Sequence, residues 1–567
     1  MDNKFNVKLQ EINNFDLSTS ENIHDINNYN DKNFFPLKFS SLQFYYPTLD
    51  IFNIEDFSDN QKNFSICTKR QILNHNTVFN SINNSNENAD IFFKFAPLLD
   101  PTRYLIGKYE IYGSNINTLP SFNNNKSIDK YSSFFNASYV DNFASFLVSK
   151  LLQNHNFFHG IEYFGSFLAI QDKYRYDVAD ELDYLYESDF FKKNINKLFK
   201  IDNLESFEFL NYGSRSNKPK LKISKTPYNI SITSIKDDNL LLPVSDISEE
   251  IIYLNDNINE KQDITLDNCH DDDDDDDNSI ENNSITSENE ENENDEDDDE
   301  DDDEDDDEDD DEDEDLTLFA YINNFPVHTI CIEKCNGTFD DLLAKDLIDE
   351  NTARSILFQV IMILITLQKC FHLTHNDLHT NNIMYVNTEV EFLYYKFNKN
   401  YYKVPTFGKI IKIIDYGRSI YKFDEHLFCS DSYSLGGDAH TQYNTEPFYN
   451  PEKPRLDPNY SFDLCRLGCS IYDFIIDNDE KYNNLDQFQK IVYDWCCDDN
   501  NKNILYKKNG DERYPNFKLY KMIARTVHKH TPEEQLKKEY FIVYKIQKKN
   551  LDKNITLLDI DKIPCYA

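Results

Sequence analysis

Two hydrophobic periodicities alternate along the chain. Ile91-Phe92-Phe93-Lys94-Phe95 is an apolar run broken by one cation and reads as a strand. Phe143, Phe146, Leu147 and Leu151 recur three and four residues apart, which predicts a helix over Tyr139 to Leu152 with one buried face. Gly160 to Ile170 reads as another strand pair, with charged helical sequence after it to about Lys200 and short strand-like pieces from about Leu204 to Ile264. From Val327 the pattern sharpens into a strand, a turn at Asn336-Gly337, and a long apolar helix from about Thr352 to Phe371. The strands Ile383 to Val386 and Ile410 to Ile414 follow, and the aromatic segment between them predicts a long hairpin. Strands and helices of this kind imply an α+β fold.

Composition changes this picture in one place. The 567 residues carry a net charge of -46, but 33 of the 45 residues from Asp271 to Asp315 are acidic and none is basic. The other 522 residues carry only -13. The tract cannot bury enough apolar surface to offset chain entropy, so it is expected to be a disordered insertion. Elsewhere the 43 Phe and 37 Tyr supply large buried areas, and a folded core is expected. An acidic surface argues against direct nucleic-acid binding. The start lacks an apolar signal, and the longest apolar run, near Ile356 to Leu367, is interrupted by Gln359, so no membrane insertion is expected. Eleven Cys without paired metal spacing point to reduced, buried thiols in a cytoplasmic compartment.

The chemistry concentrates after the long helix. His375-Asn376-Asp377-Leu378-His379-Thr380-Asn381-Asn382 leads into a strand, and a second apolar strand runs into Asp415-Tyr416-Gly417. Phosphoryl transfer needs a carboxylate to orient and deprotonate the attacking hydroxyl. It also needs a carboxylate and an amide oxygen to hold Mg²⁺ on the phosphates. Asp377, Asp415 and Asn382 form such a set.

In sequence these residues resemble the protein-kinase family, whose catalytic loop H-R-D-L-x-x-x-N and D-F-G motif read here as His375 to Asn382 and Asp415-Tyr416-Gly417. Asn450-Pro451-Glu452 resembles the end of an activation segment. Ser461 to Gly468 resembles the helix whose acid, here Asp463, props the catalytic loop. Glu333 to Leu342 resembles the hinge at which adenine meets the backbone, which makes Glu333 and Cys335 candidate nucleotide contacts. The resemblance covers about Phe319 to Thr531. It implies a bilobal fold, with a small β-rich lobe over about 61–335 and a larger helical lobe over 336–567, preceded by an extension of uncertain order over 1–60. Residues about 173–318 are an expected insertion.

The resemblance also implies a strand Lys that steadies the nucleotide phosphates, and Lys94 is the candidate, with Asp141 on the following helix as its partner. No glycine precedes Gly107, so the glycine-rich loop of the family is missing. His379 stands two residues after Asp377, where ordinary serine/threonine kinases carry Lys and where haspin-like kinases and aminoglycoside or choline phosphotransferases are similar to this sequence. It is a candidate for contact with phosphate or substrate, while His375 is expected to pack. Position 376 is Asn, so control through an Arg receiving an activation-loop phosphate is not implied. The segments around Tyr401 to Arg418 also resemble divergent kinase-like proteins of giant DNA viruses.

The expected activity is ATP- and Mg²⁺-dependent transfer to a protein serine or threonine. The alternatives are a pseudokinase scaffold, which the missing glycines favour, and a small-molecule phosphotransferase, which His379 favours. A protein substrate is the expected partner, and a basic one would suit the acidic tract. The expected location is cytoplasm or host-cell cytoplasm, with virion association left open.

Overall fold

The computed structural model describes residues 5–52, 63–121, 128–202 and 318–567, apart from isolated positions and short gaps such as 477–480 and 508–509. The acidic tract and the strand-like pieces from 204 to 264 lie outside the described residues. The described residues belong to one unit, Met1–Ile247 with Thr317–Ala567. The fold is mixed α+β.

The first part is organised by antiparallel pairing. After β1 (Phe39–Gln43), a small meander of β2 (Arg70–Ile72), β3 (Thr77–Asn80) and β4 (Ser85–Asn88) leads into β5 (Ile91–Pro97). Helix α1 (Ala137–His155) follows, then β6 (Tyr163–Asp177), β7 (Phe199–Ile201) and β8 (Phe319–Glu333). The strands assemble in the order β1-β6-β8-β5, with β7 pairing to the start of β8.

The strand pair expected over 160–170 is one continuous strand. Residues 163–171 are all buried, so the polar and apolar alternation that marks a half-exposed strand is absent and the run looked divided. Gly165 sits inside it at φ +134°, beside a register shift between Cys331 and Ile332. A Cβ there would stand 2.7 Å from the Gln71 amide nitrogen, so glycine lets the β2 meander close onto the sheet.

Helix α1 is held at both faces. Its N-cap, Asn136, accepts a bond from the Ser138 amide at 3.0 Å and donates to the Leu98 carbonyl at 3.0 Å, which ties the helix start to the chain leaving β5. Phe143 stacks on Phe428 with centroids 4.7 Å apart, and Tyr163 meets Phe146 edge-on at 5.8 Å. Each such aromatic, fully buried, contributes on the order of 1.5–3 kcal/mol.

Beyond β8 come β9 (Gly337–Thr338), α2 (Phe339–Ala344) and the 22-residue α3 (Glu350–Phe371). Helix α3 is longer than the interrupted apolar run suggested. By length and composition it could cross a membrane, and 83% of its apolar window is buried inside this fold. Gln359 is what broke the run. It is fully buried and bridges the helix to a strand edge, accepting from the Ile411 amide at 3.0 Å and donating to the Lys409 carbonyl at 3.3 Å.

Further strands are β10 (Ile383–Asn387), the predicted hairpin β11 (Phe392–Phe397) and β12 (Asn400–Pro405), and β13 (Lys409–Ile413). β10 pairs with β13, and the hairpin, which lies between them in sequence, joins Lys545–Ile546 and Leu557–Asp559 in a separate sheet. Helices α4 (Phe462–Ile475), α5 (Gln487–Trp495) and α6 (Lys518–Thr526) follow. The Trp495 indole donates to Gln535 at 2.9 Å. The described cysteines are all free thiols, most of them buried.

Candidate active site

The loop between α3 and β10 is fixed by a buried acid. Asp463, in the first turn of α4, accepts from the backbone amides of His375 at 3.0 Å and Asn376 at 2.8 Å. Buried amides without a ladder partner need such an acceptor. Burial pushes the Asp463 carboxyl up, and His375 with the two amide bonds opposes this. The Nε2 of His375 lies 2.9 Å from the Ile414 carbonyl and its Nδ1 lies 3.3 Å from the Asp377 amide. Those partners assign the ring proton to Nε2, so His375 is the packing residue expected.

Asn376 adopts the left-handed conformation, φ 65°, which Asn tolerates better than most residues. Its side chain donates to Thr374 Oγ1 at 3.1 Å and to the Arg418 carbonyl at 3.1 Å, and accepts from the Tyr443 hydroxyl at 2.8 Å. The position at which a regulatory Arg was missing therefore serves as a buried cross-brace.

Asp377 lies between an aromatic hydroxyl and a guanidinium. Oδ1 accepts from the Tyr520 hydroxyl at 2.9 Å, and Oδ2 lies 3.9 Å from Arg418 Nε. Burial pushes this carboxyl up, but Arg418, with help from Arg466 and Tyr520, holds it below its ordinary value. Asn382 turns its amide nitrogen to the Asp377 carbonyl at 2.9 Å and to His379 Nε2 at 3.0 Å, which leaves its Oδ1 as the atom available to a cation. Burial pushes His379 down to about 4, so it is neutral near pH 7 and accepts the Asn382 proton.

The second loop approaches by strand pairing. Ile383 stands opposite Ile413, and the Ile414 amide donates to the Asn382 carbonyl at 3.1 Å, so Asn382 and Asp415 leave neighbouring strand ends. Asp415 has φ 64°. Its Oδ1 meets Lys94 Nζ at 2.8 Å, and the same ammonium meets Asp141 Oδ2 at 2.7 Å. Lys94 faces away from Phe93 and Phe95, which fill the core from β5. Asp141 reaches across from α1 and also accepts from the Tyr416 amide at 2.8 Å.

One largely buried cation thus joins strand, helix and loop. Burial pushes Lys94 down and Asp141 and Asp415 up, and the Coulombic pairing reverses this for Lys94, which is raised, and for Asp415, which is lowered. Asp141 stays raised. With both carboxylates ionised the trio carries one excess negative charge.

The expected hinge residues do other work with their side chains. Glu333 accepts from the Glu162 amide at 3.1 Å and lies 3.5 Å from Lys412 Nζ. Cys335 is buried, and burial pushes its thiol up to about 12. Three neighbours of Asp377 escaped the sequence reading: Arg418, Arg466 and Tyr520. Arg418 directly follows Gly417, which was a signal; Tyr520 lies 143 residues from Asp377 and gave none. Among the described residues no three His, Cys, Asp or Glu side chains cluster as a metal cage.

No protein-family model matches the chain. A 185-residue stretch is 26% identical to an uncharacterized protein, 098R, of Invertebrate iridescent virus 6, covering 32% of this chain and 27% of that protein. Shorter stretches match the serine/threonine-protein kinase haspin. In Bos taurus, 74 residues are 35% identical, covering 13% of this chain and 10% of the kinase. In Mus musculus, 65 residues are 37% identical, covering 12% and 9%. The chain therefore spans about a quarter of the viral relative and about a tenth of the kinases. It carries a partial likeness to a serine/threonine kinase.

Proposed function

We propose that the chain is a protein kinase of bilobal, kinase-like architecture that transfers the γ-phosphate of ATP to a serine or threonine hydroxyl. The observation that carries this is Lys94, paired at once with Asp141 and Asp415, next to strand ends that bring Asn382 to the same place. The partial likeness to haspin supports the same reading. Lys94 would steady the α- and β-phosphates, and Asp415 and Asn382 would supply oxygen ligands to Mg²⁺. Two protein oxygens suffice for this hard ion, because water and phosphate oxygens complete its shell. Bound Mg²⁺ would neutralise charge on the phosphates.

The chain's own residues then divide the work. Asp377, held ionised, orients the acceptor hydroxyl and takes its proton. Tyr520 has to yield Asp377 Oδ1 to that hydroxyl. Neutral His379 keeps the Asn382 amide turned so that its oxygen is left for the metal. That hydrogen bond is also why His379 is a weak substitute for a Lys at this position.

The Tyr520 hydroxyl already seated on Asp377 favours a second reading, a nucleotide-binding scaffold. Labelled γ-phosphate transfer separates the two. The wild type is expected to label protein, and Asp377→Asn to lower the rate by roughly 10²–10⁴-fold. Equal rates would overturn the role of Asp377, and nucleotide binding by a wild type that transfers nothing would support the scaffold.

A further inference from the structure

Arg418 is 6% exposed and pinned in place. Its Nη2 is bonded to Asp438, its Nε lies 3.9 Å from Asp377, and its guanidinium lies 5.8 Å from the ring centres of both Phe517 and Tyr520. Nη1 is buried with no hydrogen-bond partner among the described residues. A buried, permanently charged N–H left unpaired is rare in folded proteins and calls for an explanation. Arg466 adds a second cation beside it, donating from Nε to the Tyr520 hydroxyl at 2.6 Å.

Tyr520 connects these facts. Its hydroxyl occupies Asp377 Oδ1 and its ring lies against both guanidiniums. A shift of Tyr520 off Asp377 would remove one of the two rings that pack on the Arg418 guanidinium, the other being Phe517. A guanidinium presents several N–H donors, and Asp438 engages Arg418 through Nη2 and a single oxygen, which leaves Nη1 for an oxygen of a second carboxylate or phosphate group. The nucleotide has its own cation in Lys94, which pairs with Asp415 and Asp141.

We propose that Arg418 Nη1 is an anion subsite for the acceptor, selecting serine or threonine peptides that carry an acidic side chain next to the hydroxyl. The proposal rests on the kinase reading and departs from the basic substrate that the acidic tract suggested. Arg418 is a specificity-determining residue here, and the preference resides in KM.

The test uses two serine peptides that differ only in Asp against Asn at the flanking positions. Transfer from labelled ATP by the full chain is expected to favour the acidic peptide by about tenfold or more in kcat/KM. In Arg418→Gln the ratio falls to about one, and in Arg418→Lys, which keeps charge without the fork, it is intermediate. Equal use of both peptides by the wild type, or an unchanged ratio in Arg418→Gln, overturns the proposal. If Arg418→Gln loses its melting transition, the wild-type ratio and Arg418→Lys decide. Fluorescence anisotropy of the labelled acidic peptide separates this failure from that of the kinase reading. Arg418-dependent binding without transfer retains the subsite and removes the kinase. Transfer without acidic preference removes the subsite and retains the kinase.

Discussion

The loop after α3 and the β5–α1 pair contribute to one candidate site by opposite means. In the loop, His375, Asp377, His379 and Asn382 lie within eight residues and bond to one another, while Asp463, Ile414, Tyr520 and Arg418 meet them from outside. In the β5–α1 pair, Lys94 and Asp141 come from separate elements, and their distant partners, Asp415 for Lys94 and the Tyr416 amide for Asp141, lie more than 270 residues further on. A local constellation is written as spacing, whereas a distant one is written only as an unexplained cation in an apolar strand.

That contrast can be broken at either end. The largest effect is expected at Asp141→Ala, which leaves Lys94 with a single partner in a buried place and frees the Tyr416 amide. The loss should be about 3 kcal/mol of unfolding free energy in denaturant titration. Asp141→Asn, which keeps an acceptor for Tyr416, should lose less. Asp463→Ala comes next, at about 2–3 kcal/mol, because two buried loop amides lose their acceptor. It should also lower transfer, since the loop carries Asp377. If Asp463→Ala melts like the wild type, the loop is held by its own bonds and Asp463 is not its anchor.

The smallest effect is a pH dependence. His379 is buried and its pKa is depressed to about 4, against about 6.5 unfolded. Between these values the unfolded chain binds the extra proton, so stability falls as pH drops through the window. From pH 7 to pH 5 this one residue should cost roughly 2 kcal/mol. His379→Gln should remove that share of the slope, and an unchanged slope would place His379 in solvent.

How much was legible follows from the same contrast. The loop, its flanking strands, the α3 helix and the β11–β12 hairpin could be read because each is set by neighbours in sequence. Lys94 and Asp141 could be named because the apolar strand carried one cation and the helix one acid. Gly165 misled the reading because it sits where the chain is buried on every side, so hydrophobic periodicity loses its phase. Tyr520, Arg466 and the buried Arg418 Nη1 were beyond reach, because they meet Asp377 only after α4 and α6 have packed.

Calorimetric titration with ATP, with and without Mg²⁺, tests the central claim most directly when run on the wild type, Lys94→Met and Asp415→Ala. The account predicts Mg²⁺-dependent binding in the wild type, at least about tenfold weaker binding in Lys94→Met, and loss of the Mg²⁺ dependence in Asp415→Ala. Identical affinities and Mg²⁺ dependence in all three proteins would contradict it.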